Sequence, residues 1–180
     1  QYPWKGILGG DGMEVQIDNR NPNIVFTGSQ FGFYARLDLD TGRRKSIKPI
    51  HELGNSPFRF NWQTPILLSP HNQDVLYLGS NFLHKSSNQG DDWETISEDL
   101  TSGGKKGNVP YGTITTISES PVKEGVLYTG SDDGFVYVSK NSGKTWKNIS
   151  GNLPKELWVS NVYASNHDEK VVYLSLDGYR

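Results

Sequence analysis

Short runs of large apolar and β-branched residues recur along the chain, separated by clusters of Gly, Asp, Asn and Ser. The stretch 113–150 shows the pattern best. Residues 113–118 form a β-branched run, and 126–129 form a second apolar run. Residues 135–139 alternate large apolar with small or polar side chains, and 145–149 carry a tryptophan. Runs of this length bounded by turn residues predict four short strands. No window holds a long helical period with capping residues, and one turn around 154–157 is the most helix the pattern predicts.

The runs repeat. Ser86-Ser87-Asn88-Gln89-Gly90-Asp91-Asp92-Trp93 returns as Ser139-Lys140-Asn141-Ser142-Gly143-Lys144-Thr145-Trp146, and each copy ends in Ile-Ser. Each is preceded by Val-Leu-Tyr-x-Gly-Ser, whose tyrosines Tyr77 and Tyr128 lie 51 positions apart. Fainter copies surround Phe26 and Tyr173. Seven residues before the four aromatics stand Asn19, Pro70, Pro121 and Asn166, preceded by Asp18, Ser69, Ser120 and Ser165. One frame therefore spans nearly the whole chain.

Four antiparallel strands in a unit of about fifty residues make a β-propeller blade. The expected fold is all-β, with blades at about 13–46, 65–97 and 113–150 and a half blade at about 160–176. A ring needs roughly four to eight blades. The chain is thus expected to be part of a larger propeller, or one of two chains that complete a ring. The second strand of the half blade would offer unpaired backbone to the rest of the propeller or to a second chain.

Composition narrows the chemistry. With 180 residues the chain can bury a sizeable core, and 20 Gly, 5 Trp, 9 Tyr and 7 Phe suit a turn-rich β repeat. Lys and Arg are scattered and the formal net charge is −2, which argues against nucleic acid as a partner. The absence of Cys excludes disulfides, thiolate catalysis and cysteine metal sites. His51, His71, His84 and His167 lack ligand spacing, so neither a metal nor a cofactor is expected. No apolar run reaches membrane-spanning length.

The paired phrases resemble the Asp-box, or BNR repeat, S-x-D-x-G-x-T-W, of sialidases, endo-xyloglucanases, sortilin-type receptors and photosystem-assembly propellers. The wider sequence resembles secreted bacterial BNR-repeat glycosyl hydrolases and sortilin-like proteins. That resemblance implies a secreted, extracellular, periplasmic or cell-surface protein that binds a glycan or an extracellular polypeptide. Both strong copies depart from it, with Asn88 and Asn141 at the box aspartate. An amide carbonyl can still accept from turn backbone, so the turn is expected to survive. Ser86, Asn88, Gly90, Trp93, Ser139, Asn141, Gly143 and Trp146 are therefore read as structural. In the first copy the box has decayed to Asp38-Leu39-Asp40-Thr41-Gly42, with Lys45 at the tryptophan position.

Blade topology puts the loops between second and third strands at the same end as the segments leading into each first strand. The boxes fall at the other end. Candidate ligand-binding residues at the first end are Asp11, Arg59, Asn61, Trp62, Tyr111 and Trp158. Aromatic faces with nearby polar groups suit sugars, although Trp62 and Trp158 also fit a purely packing role. Two inter-blade connections, 48–61 and 98–110, are long, and such loops often carry function.

For catalysis, paired carboxylates are needed. Asp11, Asp132 and Asp133 are the candidates, and no spacing rule singles out a pair. The xyloglucanase resemblance implies an Asp base near the position of Gln30, where this chain has an amide that cannot serve. The expectation is a binding or scaffold module. The alternatives are a glycoside hydrolase whose carboxylates come partly from other blades, and a sortilin-like peptide-binding domain.

Overall fold

The computed structural model describes residues 6–154 and 156–178. These contain fourteen strands and no helix. The first sheet comprises β1 (Val15–Ile17), β2 (Ile24–Ser29), β3 (Phe33–Asp38) and β4 (Arg44–Ser46). The second comprises β5 (Ile66–Leu68), β6 (Leu76–Gly79), β7 (Leu83–Ser86) and β8 (Glu94–Thr95). The third comprises β9 (Ile114–Glu119), β10 (Leu127–Ser131), β11 (Val136–Ser139) and β12 (Lys147–Asn148). A two-stranded fourth sheet pairs β13 (Trp158–Ala164) with β14 (Val172–Asp177). Strands follow chain order within every sheet, and all pairings are antiparallel. The architecture is a partial all-β propeller of about three and a half blades.

Three differences from the sequence pattern have local causes. The fourth strands of blades two and three shrink to two residues, because Trp93 and Trp146 precede them and turn their indoles into the preceding seam. The fourth copy's first strand starts at Trp158 rather than Ser160, extended by pairing of Trp158 with Asp177. Among the described residues near 154–157 there is no helix, and Glu156 stands in a turn at φ 60°, a left-handed conformation that a helix cannot continue through.

Three hydrophobic clusters sit at the three seams between blades. Phe26, Tyr34 and Ile47 meet Ile66, Leu76 and Leu78 at the first. Tyr77 and Leu83 meet Ile114 and Leu127 at the second, and Tyr128 and Val138 meet Val162 and Ala164 at the third. Burying such side chains contributes about 1.5–3 kcal/mol each, so the core is a set of interfaces between repeats. The repeated tyrosines reach across them: Tyr77 Oη donates to Glu119 Oε1 at 3.4 Å, and Tyr128 Oη donates to the Glu169 carbonyl at 3.3 Å.

Inner strands of adjacent blades are tied by side chains. Glu14 Oε2 accepts from Ile66 N and Gln16 Oε1 from Leu68 N, each at 3.3 Å. In the same frame, Thr116 Oγ1 accepts from Val162 N and Ser118 Oγ from Ala164 N, at 3.2 and 3.0 Å. These contacts satisfy strand-edge donors that would otherwise be unpaired.

The repeated Gly-Ser has a steric cause. A Cβ on Gly130 would lie 2.4 Å from Val159 Cγ1 and 2.8 Å from Val159 Cβ, and one on Gly79 would lie 2.9 Å from Ile114 Cγ2. The glycine leaves room for the first strand of the next blade. Gly130→Ala should therefore lower stability by about 2 kcal/mol through overpacking, read as a lower urea midpoint. Adding Val159→Ala should recover part of the loss, and independent, additive effects in the double variant would rule out the contact as the cause.

The outward faces of the terminal blades are partly apolar. Val15, Ile17 and Phe33 are exposed on the first, as are Tyr163 and Tyr173 on the fourth. No helix among the described residues is long and apolar enough to cross a membrane.

Candidate functional site

The box turns occupy one end of the blades. Ser86 Oγ accepts from Gly90 N at 2.8 Å and donates to Asn88 Oδ1 at 2.9 Å, and Asn88 Oδ1 also accepts from Asp92 N. Ser139, Gly143, Asn141 and Thr145 repeat the same bonds at 2.9, 3.0 and 2.9 Å. The carbonyl of asparagine performs the acceptor role, and the amide group bonds outward to Asp92 or Thr145. Gly90 and Gly143, at φ 87° and 89°, lie against Ile47 and Ile96 of the preceding blade. Trp146 Nε1 donates to the Ile96 carbonyl at 2.9 Å. In the first blade Lys45 instead reaches Asp91 of the second at 2.6 Å, beside Arg36.

Two hollows of about 730 and 880 Å³ lie beside these turns, at the outer seams. Charges there are mixed, and Asp91 is held below the usual carboxylate range by Lys45 and Arg36. These seams offer no concentration of one charge.

The other end carries the loops between second and third strands, next to the segments approaching each first strand. Phe31 N donates to the Trp62 carbonyl at 3.1 Å, and Asp132 N to the Thr113 carbonyl at 3.0 Å. One frame position, four residues after each repeated aromatic, is held by Gln30, Asn81, Asp132 and Asp177. Asn81 Oδ1 accepts from Arg59 N at 3.0 Å. Asp132 Oδ1 accepts from Gly112 N and Thr113 N at 2.9 and 3.0 Å, and Oδ2 from Thr113 Oγ1 at 3.0 Å. At Asn81 and Asp132 this position clamps the segment that approaches the first strand of the same blade. Gln30 Oε1 is buried without a hydrogen-bond partner.

The structure does not bring the predicted residues into one site. Asn61, Asp132 and Asp133 are buried. Asn61 Nδ2 donates to Thr113 Oγ1 at 2.8 Å, and Asp133 Oδ2 accepts from Ser102 N and Oγ at 2.6 and 2.7 Å. Asp133 also borders a hollow of about 390 Å³ shared with Tyr111, Phe135 and Leu153. Trp158 lines an inner cleft of about 400 Å³ with Glu14, Gln63, Thr115 and Asp177. Burial pushes the Glu14 carboxyl up, against the opposing effect of its bond from Ile66 N.

Arg59 and Tyr111 meet in a different place, a groove of about 680 Å³ between the two long loops. Arg59 pins those loops together: Nε donates to the Gly112 carbonyl at 3.0 Å, and Nη2 to Asp99 Oδ2 at 2.7 Å and Thr101 Oγ1 at 3.1 Å. Burial raises the Asp99 pKa, but bonds from Thr101, Arg59 and Asn81 outweigh it and hold the group low. Trp62 is 46% exposed and stands edge-on to Phe31, which borders the groove, with ring centroids 5.1 Å apart. Asp11 is exposed and borders neither the groove nor the inner cleft.

Lys48, Lys105, Lys106 and Phe58 also line this groove and were missed. Their only sequence signal was the length of the loops that carry them. Lys48 Nζ lies 3.8 Å from the Phe33 centroid and 4.6 Å from that of Phe60, and burial lowers its pKa. Lys105 Nζ lies 4.3 Å from the Tyr111 centroid. No group of three or more His, Cys, Asp or Glu able to hold a metal occurs among the described residues.

Known proteins agree with this fold. An ancestral GH74 enzyme superimposes with a TM-score of 0.63 at 18% identity, over 92% of this chain and 22% of its own. The extracellular domain of a one-component system from B. thetaiotaomicron gives 0.61 at 15% identity, over 92% and 20%. The chain is also 29% identical over 104 residues to vacuolar protein sorting/targeting protein 10 of Emericella nidulans, which is 58% of this chain and 6% of that protein. The chain is a β-propeller segment. It spans about a fifth of each of these two solved structures, and no family model matches it. At these identities the structural likeness extends to fold alone.

Proposed function

We propose that the chain is part of an extracellular Asp-box propeller that binds a glycan or polypeptide at its loop end. The observation that carries this reading is the use of the loop-end carboxylates. Asp132, Asp133 and Asp99 accept bonds that hold loops and approach segments in place. A glycosidase carboxyl must instead be open to the scissile bond. The groove beside them provides aromatic and cationic side chains. The likeness to the extracellular domain from B. thetaiotaomicron supports an extracellular setting, and the exposed outer faces of the first and fourth blades suit cover by further blades or a second chain.

A glycoside hydrolase is the second reading. Glu14 and Asp177 border the inner cleft beside Trp158, and the GH74 likeness favours it. Incubating the purified protein with xyloglucan and other β-glucans, and following reducing ends, separates the two. The binding reading expects no turnover, with retention of a glycan or peptide on arrays that weakens about tenfold in Trp62→Ala or Trp158→Ala. Turnover abolished by Glu14→Gln or Asp177→Asn would establish the hydrolase instead.

A further inference from the structure

We propose that the groove between the two long loops binds an acidic polypeptide segment. The proposal rests on the ligand-binding reading above and names the ligand class for that same end of the molecule.

The first argument is charge. Lys48, Arg59, Lys105 and Lys106 line the groove, and its lining contains no carboxylate. Arg59 is compensated by Asp99. None of the three lysines forms an ion pair among the described residues. On a chain with formal net charge −2, this is a local concentration of positive charge, and charge complementarity selects an anionic occupant.

The second argument decides between anionic ligands. Sugars and nucleic-acid bases both bind aromatic sites by stacking on ring faces. Here Lys48 sits over Phe33 and Phe60, and Lys105 over Tyr111. Phe58 is turned against Phe60, Phe82 and His84. The groove therefore presents ammonium groups where a stacking platform would present bare faces. Pro57, Phe58, Val109 and Pro110 add apolar surface, with Val109 52% exposed. Carboxylates spaced between aliphatic side chains fit cations alternating with such surface. An extended peptide supplies that pattern along an open trough.

The test uses a fluorescein-labelled peptide alternating glutamate with leucine, its glutamine counterpart, an oligogalacturonate and a single-stranded oligonucleotide. Anisotropy should show the glutamate peptide binding about tenfold more tightly than the glutamine peptide, with affinity falling as salt rises. K105Q/K106Q should weaken it about tenfold. K144Q/K147Q removes equal charge at the box end, from exposed positions, and should leave binding unchanged. Equal losses in the two variants would overturn the proposal by exposing non-specific attraction. Failure of the acidic peptide to bind would also overturn it. If the oligogalacturonate or oligonucleotide then bound, the inference would fall while the general ligand-binding reading survived.

Discussion

Asp132→Ala should lower stability by about 3–5 kcal/mol, because three buried donors lose their acceptor at about 1–3 kcal/mol each. The carboxylate is buried and holds Gly112 N, Thr113 N and Thr113 Oγ1, while Asn61 Nδ2 bonds the same hydroxyl. Alanine would leave the first three donors without this acceptor in a closed site, where an unsatisfied donor costs about 1–3 kcal/mol. The local backbone has little freedom to find another, because Gly112 sits at φ 70° and a Cβ there would lie 2.4 Å from the Gly103 carbonyl oxygen. Asp132→Asn keeps one carbonyl acceptor and should cost about 1–2 kcal/mol. Urea unfolding measures both. A loss below about 1 kcal/mol for Asp132→Ala would mean that the carboxylate does not hold this loop, and would return it to consideration as a chemical group.

Asp132 also illustrates what a sequence with a strong internal repeat can disclose. Blade order, strand placement and the turn role of Ser86-Asn88-Gly90 all depend on contacts within a repeat or with its immediate neighbour. Such contacts recur, so the frame exposes them. Asp132 differs in identity from Gln30 and Asn81 at the same position. Its bonds show a shared clamping geometry served by different side chains. The long loops have no second copy to compare with. Their conformation is set by contacts such as Arg59 with Asp99, 40 residues apart, and by Asp133 with Ser102, 31 apart. That docking gathers Lys48, Arg59, Lys105 and Lys106 into one groove although they are scattered in sequence. Single residues such as Tyr111 could be nominated from their place at the loop end, but their company could not.

Lowering the pH from about 6.5 to 4 should remove about 3 kcal/mol of stability through His84 alone. The ring is buried, with Nε2 2.8 Å from Ser80 Oγ, Nδ1 3.1 Å from Thr95 Oγ1, and Phe58 packed against it at 4.5 Å between centroids. Burial lowers its pKa to about 4. The unfolded chain, with an ordinary histidine pKa, binds this proton first as pH falls. Stability from the neutral ring is therefore complete above about 6.5 and is lost down to about 4, which follows from a folded-state value below the unfolded one. Glu14 acts in the opposite sense over the lower part of this window, because its raised pKa favours the protonated folded form. Asp18, Asp38, Asp91 and Asp99, all held low, add losses only below the ordinary carboxylate range. The histidine contribution is isolated by urea titrations of the parent and His84→Gln at pH 7 and 4.5. The variant starts less stable but should lose about 2–3 kcal/mol less between the two pH values. Equal losses in the two proteins would show that protonation reaches His84 without unfolding the seam around it, and that Ser80 and Thr95 can rotate to accept from a charged ring.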